Sequence, residues 1–179
     1  MSTALVWFRR DLRLTDNPAL HRAASEHERI VPVYIHAPHE EAPWEPGAAS
    51  RWWLHHSLVA LDATLKRRNS RLVLRQGNSL SALRELLRET GAAAAYWNRL
   101  YEPATIARDR AVKTALRANG IAAESHRAAL LIEPWTLLKA DGTPYQVFTP
   151  FWKACLRQLP PPAPLPVPPL PGPERWPDS

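Results

Sequence analysis

The chain has 179 residues, 45% of them hydrophobic, enough for one domain with a real core and too apolar for a disordered chain. Lys and Arg outnumber Asp and Glu by 23 to 17, and this basic balance favours phosphate-rich partners. A single cysteine, Cys155, excludes an internal disulfide framework and is compatible with a cytoplasmic protein; its expected role is a small apolar residue in a helix. No apolar run approaches the roughly 20 residues of a membrane span, and the amino terminus lacks the long apolar stretch of a secretory signal.

Short apolar runs alternate with helical patterns. Ala4–Phe8 reads as a first strand, and Asn17 and Pro18 then supply an N-cap and first turn for a helix to His27. Ile30–His36 reads as a second strand, with Pro32 expected at a strand start or where no ladder bond is donated. A proline-rich loop over 37–49 precedes a long helix expected to be capped by Ser50 and to run to about Arg68. Its Leu54, Leu58, Leu61 and Leu65 form one apolar stripe. Arg71–Arg75 reads as a third strand. Ser79 is expected to cap a helix stopped by Gly91.

Ala93–Trp97 reads as a fourth strand, followed by a helix from about Ala104 to Asn119 with Gly120 as its stop. Ile121–Ser125 reads as a fifth strand. Asp141-Gly142 marks a turn between two short strands, Leu137–Lys139 and Tyr145–Phe148, and a last helix runs from Thr149-Pro150 to about Leu159. The alternation predicts an α/β fold: a Rossmann-like, doubly wound, five-stranded parallel sheet with helices on both faces. From Pro160 the composition changes, with ten of the nineteen prolines between Pro160 and Pro177. Such a run favours extended polyproline geometry. The expected organisation is a domain over 1–159 and a Pro-rich linker over 160–179.

Several chemistries are unsupported. Residues 1–46 contain no glycine, so no Gly-x-Gly-x-x-Gly turn follows the first strand. There is no P-loop and no Gly-x-Ser-x-Gly elbow. The seven histidines lack cysteine partners or a His-Glu-x-x-His pattern, so no metal site is expected. What remains is a ligand crevice at the carboxyl ends of the strands, where open α/β sheets bind ligands. Phe8-Arg9, His36-Ala37 and Asn98-Arg99-Tyr101-Glu102 converge there, with Arg51 and Trp52 added from the helix after the loop. Aromatic faces, an amide and charged groups suit a planar, partly polar heterocycle. Core packing for the tryptophans, strand termination for Asn98 and an arginine partner for Glu102 are the plainer alternatives.

Four stretches carry a resemblance. They are Trp7-Phe8-Arg9-Arg10-Asp11-Leu12-Arg13-Leu14-Thr15-Asp16-Asn17-Pro18-Ala19-Leu20, Ser50-Arg51-Trp52-Trp53-Leu54-His55-His56-Ser57-Leu58, Trp97-Asn98-Arg99-Leu100-Tyr101-Glu102-Pro103 with Ala107-Arg108-Asp109, and Val147-Phe148-Thr149-Pro150-Phe151-Trp152. In this order and spacing they resemble the DNA photolyase and cryptochrome family across roughly residues 4–155. The resemblance implies an amino-terminal domain that binds an antenna chromophore and passes excitation to FAD in a carboxyl-terminal helical domain. That second domain would carry the flavin site and most of the surface for damaged DNA. This chain alone is then expected neither to hold FAD nor to repair pyrimidine dimers, and to be a monomer without membrane contact. The implied antenna-binding residues are Arg9, His36, Arg51, Asn98, Tyr101 and Glu102, with no catalytic residue among them. Methenyltetrahydrofolate and 8-hydroxy-5-deazaflavin both remain open, as do a flavin and no antenna at all. One folate-binding pattern places an Asn-Glu pair where this chain has Ala104 and Thr105. A cryptochrome-type photoreceptor and a stand-alone nucleotide-binding module are the competing readings.

Overall fold

All six residues of strand β1, Thr3–Phe8, are buried, as befits the centre of a sheet covered on both faces. The computed structural model describes residues 2–179. β2 (Arg29–His36), β3 (Val73–Gln76), β4 (Ala94–Asn98) and β5 (Ala122–His126) complete a five-stranded, wholly parallel sheet in the order β3-β2-β1-β4-β5. Trp7 stands opposite Val33 on one side and Trp97 on the other.

Side chains alternate between the two faces, and each face meets its own pair of helices. Leu5, Trp7, Val33 and Trp97 pack with Leu83 and Leu86 of α3 (Ser79–Thr90) and with Val112 and Leu116 of α4 (Pro103–Arg117). On the opposite face Val6, Phe8, Ile30 and Tyr96 pack with Leu20 of α1 (Pro18–Glu26) and with Leu61 and Leu65 of α2 (Ala48–Lys66). The doubly wound architecture is therefore the one the alternation predicts.

Several boundaries differ from expectation for identifiable reasons. Asn17 caps α1 as expected, accepting from the Leu20 amide at 3.1 Å. α2 starts two residues before Ser50, with Gly47 at its cap. α3 is capped by Asn78, which accepts from the Ser81 amide at 3.0 Å, while the Ser79 amide is taken by Glu40 at 2.8 Å. β3 begins at Val73 because the Leu72 amide donates to Asp62 Oδ1 at 3.0 Å. Pro32 sits inside β2, one residue before β3 starts to pair at Val33. Gly91 does end α3 in the left-handed conformation, at φ +62°.

The expected hairpin around Asp141-Gly142 is reduced to one antiparallel bridge, Leu138 to Pro144. Pro144 has no N–H to donate, and the turn is closed by Asp141 Oδ1, which accepts from the Thr143 amide at 2.9 Å. The final helix, α5, spans Phe148–Leu156.

Residues 160–179 run as an extended strap along the domain. Leu165 O accepts from the Asp16 amide and Pro171 O from the Ile30 amide, each at 2.8 Å. Leu170 is buried within the cluster that contains Ile30 and Leu65. Farther on, Arg71 donates to Pro177 O at 2.5 Å and stacks on Trp176, and the Leu74 amide of edge strand β3 donates to Ser179 Oγ at 2.9 Å. A polyproline segment pre-organised in extended form loses little further entropy on docking this way. Among the described residues no helix is long and apolar enough to cross a membrane.

Candidate functional site: a cleft at the carboxyl rim of the sheet

The strand order reverses between β1 and β4, the usual place for a ligand crevice in this fold class. Here side chains fill that place. Arg9, 6% exposed, donates to Asp109 of α4 at 2.8 and 2.6 Å and to the Asn98 carbonyl oxygen. Burial pulls the Arg9 pKa down, and Asp109 opposes that shift. Asn98, at the end of β4, donates to Asn17 Oδ1 at 2.8 Å and to Asp11 Oδ2 at 2.5 Å, and it accepts from the Ala19 amide at 3.0 Å. All of its amide chemistry therefore goes into anchoring the start of α1.

The open space lies beside this plug, on the β2 side. A cavity of about 1060 Å³ is bounded by the corner after β1, the end of β2, the turn Pro38–Glu41 and one face of α2. That is the size of a small-molecule or cofactor site. On α2 the lining residues Trp53, Ser57, Ala60 and Thr64 recur every three or four positions beside Leu54 and Leu61 of the apolar stripe, and Arg68 follows just past the helix end. From Ser50 to Thr64 this wall is about 21 Å long at 1.5 Å per residue. Trp44 and Trp53 line the cavity while remaining 82% and 69% exposed, so both indoles present free faces. Tyr34 forms part of the floor. Burial and the nearby Glu41 carboxylate push its pKa up to about 12, so it keeps its proton as a donor at neutral pH.

The six residues expected to bind a ligand fall into two groups. Arg9 and His36 line the cavity. Arg51, Asn98, Tyr101 and Glu102 do not. Arg51 is exposed and donates to Pro46 O at 2.7 Å, bracing the loop before α2. Tyr101 donates to Glu133 Oε1 at 3.0 Å, beside the Arg99–Glu133 pair at 2.8 Å. Glu102 occupies the N-cap position of α4 and pairs with Arg10, which also reaches Glu41 at 2.8 Å. Burial alone would raise the Glu102 pKa, but Arg10 and hydrogen bonds from its own backbone and Thr105 bring it below the usual value. Of the four, Glu102 ties the cavity to α4, because its partner Arg10 and that residue's second partner Glu41 both line the cavity. Trp44, Trp53, Tyr34 and Arg68 were missed as lining residues. For Trp53 the signal was a helix face carrying Trp, Ser and Thr at helical spacing, neither apolar nor uniformly charged; Tyr34 on β2 and Trp44 in the loop carried no such pattern.

The sequence model of the DNA photolyase family matches residues 4–171. This chain belongs to the DNA photolyase family. It is 44% identical over 176 residues to a deoxyribodipyrimidine photo-lyase of Agrobacterium fabrum, covering 98% of this chain and 36% of that protein. It is also 44% identical over 166 residues to cryptochrome-2 of Arabidopsis thaliana, covering 88% of this chain and 27% of the other. Among solved structures it is similar to a class III photolyase of Agrobacterium tumefaciens, with a TM-score of 0.91 and 43% identity, over all of this chain and 37% of that one. A photolyase of Sulfolobus tokodaii, described with two FAD molecules and a novel light-harvesting cofactor, gives a TM-score of 0.79 at 28% identity, over 94% and 37% of the two chains. This photolyase-family chain thus spans about a third of the length of these relatives.

Proposed function

We propose that this chain is the amino-terminal antenna domain of a light-driven DNA photolyase acting on pyrimidine dimers. The observation that carries this reading is the cavity of about 1060 Å³, walled by Trp44, Trp53 and Tyr34 at the rim of the sheet. When bound there, an antenna chromophore supplies light absorption and excitation transfer. The chain's own residues do the holding. Trp44 and Trp53 offer free ring faces for stacking, Tyr34 a protonated hydroxyl, and Arg68 a cation at the far end of the α2 wall. Arg9 and His36 contribute to the walls, and Asn98 and Glu102 keep those walls in place.

Folate and 8-hydroxy-5-deazaflavin are the proposed occupants. A folate gripped through an Asn-Glu pair after the Tyr-Glu is disfavoured, because Ala104 and Thr105 hold those places in α4 and Thr105 is buried. A carboxyl-terminal FAD domain is proposed to follow, in line with the greater length of the relatives. The Pro-rich segment 160–179 would lead to it, and the exposed Phe148, Phe151 and Trp152 of α5 suit its docking. Damaged DNA would bind through that domain, in the cytoplasm.

Absorption spectroscopy of the full-length protein tests this reading. Bands beyond those of flavin are expected, and changing Trp44 and Trp53 together to Ala should remove them while the flavin bands stay. A spectrum of flavin alone in the unaltered protein, reconstituted with each candidate chromophore, would reject the antenna assignment. Cryptochrome-type photoreception is the second reading, supported by the 44% identity to cryptochrome-2. Repair of irradiated oligonucleotide under blue light separates the two.

A further inference from the structure

Trp7 is a core residue, 2% exposed, that also lines the cavity. Its ring meets that of Trp97 edge-on, with centroids 5.9 Å apart. Three cations surround this pair. The guanidinium carbons of Arg9 and Arg108 lie 4.9 and 5.0 Å from the Trp7 ring centre, and Lys113 Nζ lies 5.5 Å from that of Trp97. Asp109 serves both arginines, at 2.6 and 2.9 Å. Two guanidiniums thus share one carboxylate beside one ring. Neither indole N–H has a hydrogen-bond partner among the described residues.

Packing alone does not call for this arrangement. Leu or Met would cover Trp7 without the desolvation that burying Arg9 entails. The cations do, however, act on the electronic state of the indole. A cation over the ring face stabilises the neutral ring. The same cation destabilises the oxidised ring, because a new positive charge would form about 5 Å from existing ones in a medium of low dielectric. Both effects make Trp7 harder to oxidise.

We propose that Arg108, Arg9 and Lys113 protect the excitation of a chromophore in the cavity by suppressing electron transfer from Trp7. The proposal rests on the cavity being the antenna site. The suppressed step is simple to balance. One electron would pass from the Trp7 indole to the excited chromophore, leaving an indole radical cation and a chromophore radical one unit more negative than before. Recombination returns both to their ground states, and the excitation is lost as heat. No atom moves. Loss of the indole proton, which would trap the radical, has no hydrogen-bonded acceptor at Nε1. Arg9 and Arg108 also line the cavity and Lys113 does not, so an effect of Lys113 on Trp7 is free of any contact with the chromophore.

The test uses a covalent probe, so it does not depend on which chromophore the cavity takes. Ala37 lines the cavity and packs against the cluster that holds Trp7. In the 179-residue chain, Ala37→Cys is labelled with bimane, whose fluorescence is quenched by electron transfer from nearby indole. Cys155→Ala removes the native thiol, and Trp44→Phe with Trp53→Phe removes the other cavity indoles. Adding Arg108→Met should shorten the bimane lifetime about twofold or more, as the oxidised ring loses a repelling charge. Arg108→Lys should restore the long lifetime. With Trp7→Phe, Arg108→Met should have no effect. Lys113→Met should give a smaller shortening and serves in place of Arg108→Met if circular dichroism shows that variant unfolded. Unchanged lifetimes in the folded Met variants, or equal shortening without Trp7, would overturn the proposal. The antenna bands of the full-length protein test the cavity assignment separately, so failure of either idea is distinguishable from failure of the other.

Discussion

Asp109, on α4, grips Arg9, at the end of β1, through contacts of 2.8 and 2.6 Å across 100 residues of sequence. The arginine side chain is 5% exposed and the carboxylate 13% exposed, so the pair is effectively dry. Removing one partner strands the other. Asp109→Asn should cost about 3–5 kcal/mol of stability, the usual penalty for an orphaned buried charge. Replacing all three charges, as Arg9→Met and Arg108→Met with Asp109→Leu, should cost much less, because Arg108 shares the same carboxylate at 2.9 Å. Urea unfolding of the two variants checks both expectations, and equal losses would show that the pair itself, rather than the orphaned charge, matters.

Asn98 closes the crevice at the strand-order reversal, and its amide contacts Asp11 and, at the start of α1, Asn17 and Ala19. Asn98→Ala leaves the Ala19 amide without its partner, while Asn17 Oδ1 keeps its bond from the Leu20 amide. An unsatisfied buried group costs about 1–3 kcal/mol, so a loss in that range is expected. Hydrogen exchange at the Ala19 amide should accelerate. Affinity for a cavity ligand should stay within about twofold of the parent, because Asn98 lies outside the cavity. A selective loss of ligand binding with unchanged stability would instead return Asn98 to the binding surface.

Much of the fold was legible because a parallel sheet writes its strands as apolar runs and its helices as leucine stripes. β1 is buried throughout, as the sequence Ala4–Phe8 implies. Boundaries slipped where a side chain from elsewhere took a backbone group. Asp62 claims the Leu72 amide and Glu40 the Ser79 amide, and neither pairing leaves a trace in local sequence. The strap was legible as extended but not as docked, since Leu165 and Leu170 among prolines show no periodicity. The rim was legible as a set of strand ends, but the division of labour along it was not. Asn98 has the chemistry of a ligand-binding amide, and only the approach of α1 shows that this chemistry is already used.

Trp53 and Trp44 carry exposed indoles on the cavity wall, so truncation should spare the fold and weaken the ligand. Stacking of a planar ring on an aromatic side chain is worth about 1–3 kcal/mol. Trp53→Ala should therefore lower chromophore affinity by about five- to 150-fold. The melting temperature of the ligand-free chain should hardly move, because the side chain is already in water. Titration with 8-hydroxy-5-deazaflavin or methenyltetrahydrofolate, beside a thermal melt, reads both quantities. A folded variant with undiminished affinity would place the ring elsewhere.

Leu170 anchors the strap. It is 5% exposed and shares a cluster with Ile30 and Leu65, while the neighbouring Pro171 carbonyl accepts from the Ile30 amide. Leu170→Ala should cost about 2 kcal/mol, the low end for a buried leucine, because an extended strap can shift to close part of the gap. Limited proteolysis after Arg175 should speed up in the variant. Val167, on the same strap, lines the cavity, so ligand affinity should fall modestly as well. Unchanged stability and cleavage would mean that the strap contributes nothing to the domain.

His126, at the end of β5, sets a pH dependence whose sign follows from its surroundings. Burial comes first, and Arg99, Arg22 and Lys113 add to it, against the single opposing pull of Glu124; together they hold the imidazole pKa below the ordinary 6.5. The ring stacks on Tyr96 and makes a 3.5 Å approach to Glu124. Because the unfolded chain takes up this proton more readily than the folded one, acid favours unfolding. Well above pH 6.5 both states are neutral at this site and it has no effect. As pH falls below 6.5 stability should decline, and the decline from this group should end once pH passes the lowered folded-state value. His126→Gln, which keeps a polar side chain without the titration, should flatten that part of the curve. Urea unfolding at intervals between pH 7.5 and about pH 5 measures the slope directly. A steeper decline in the variant than in the parent would reverse the assignment.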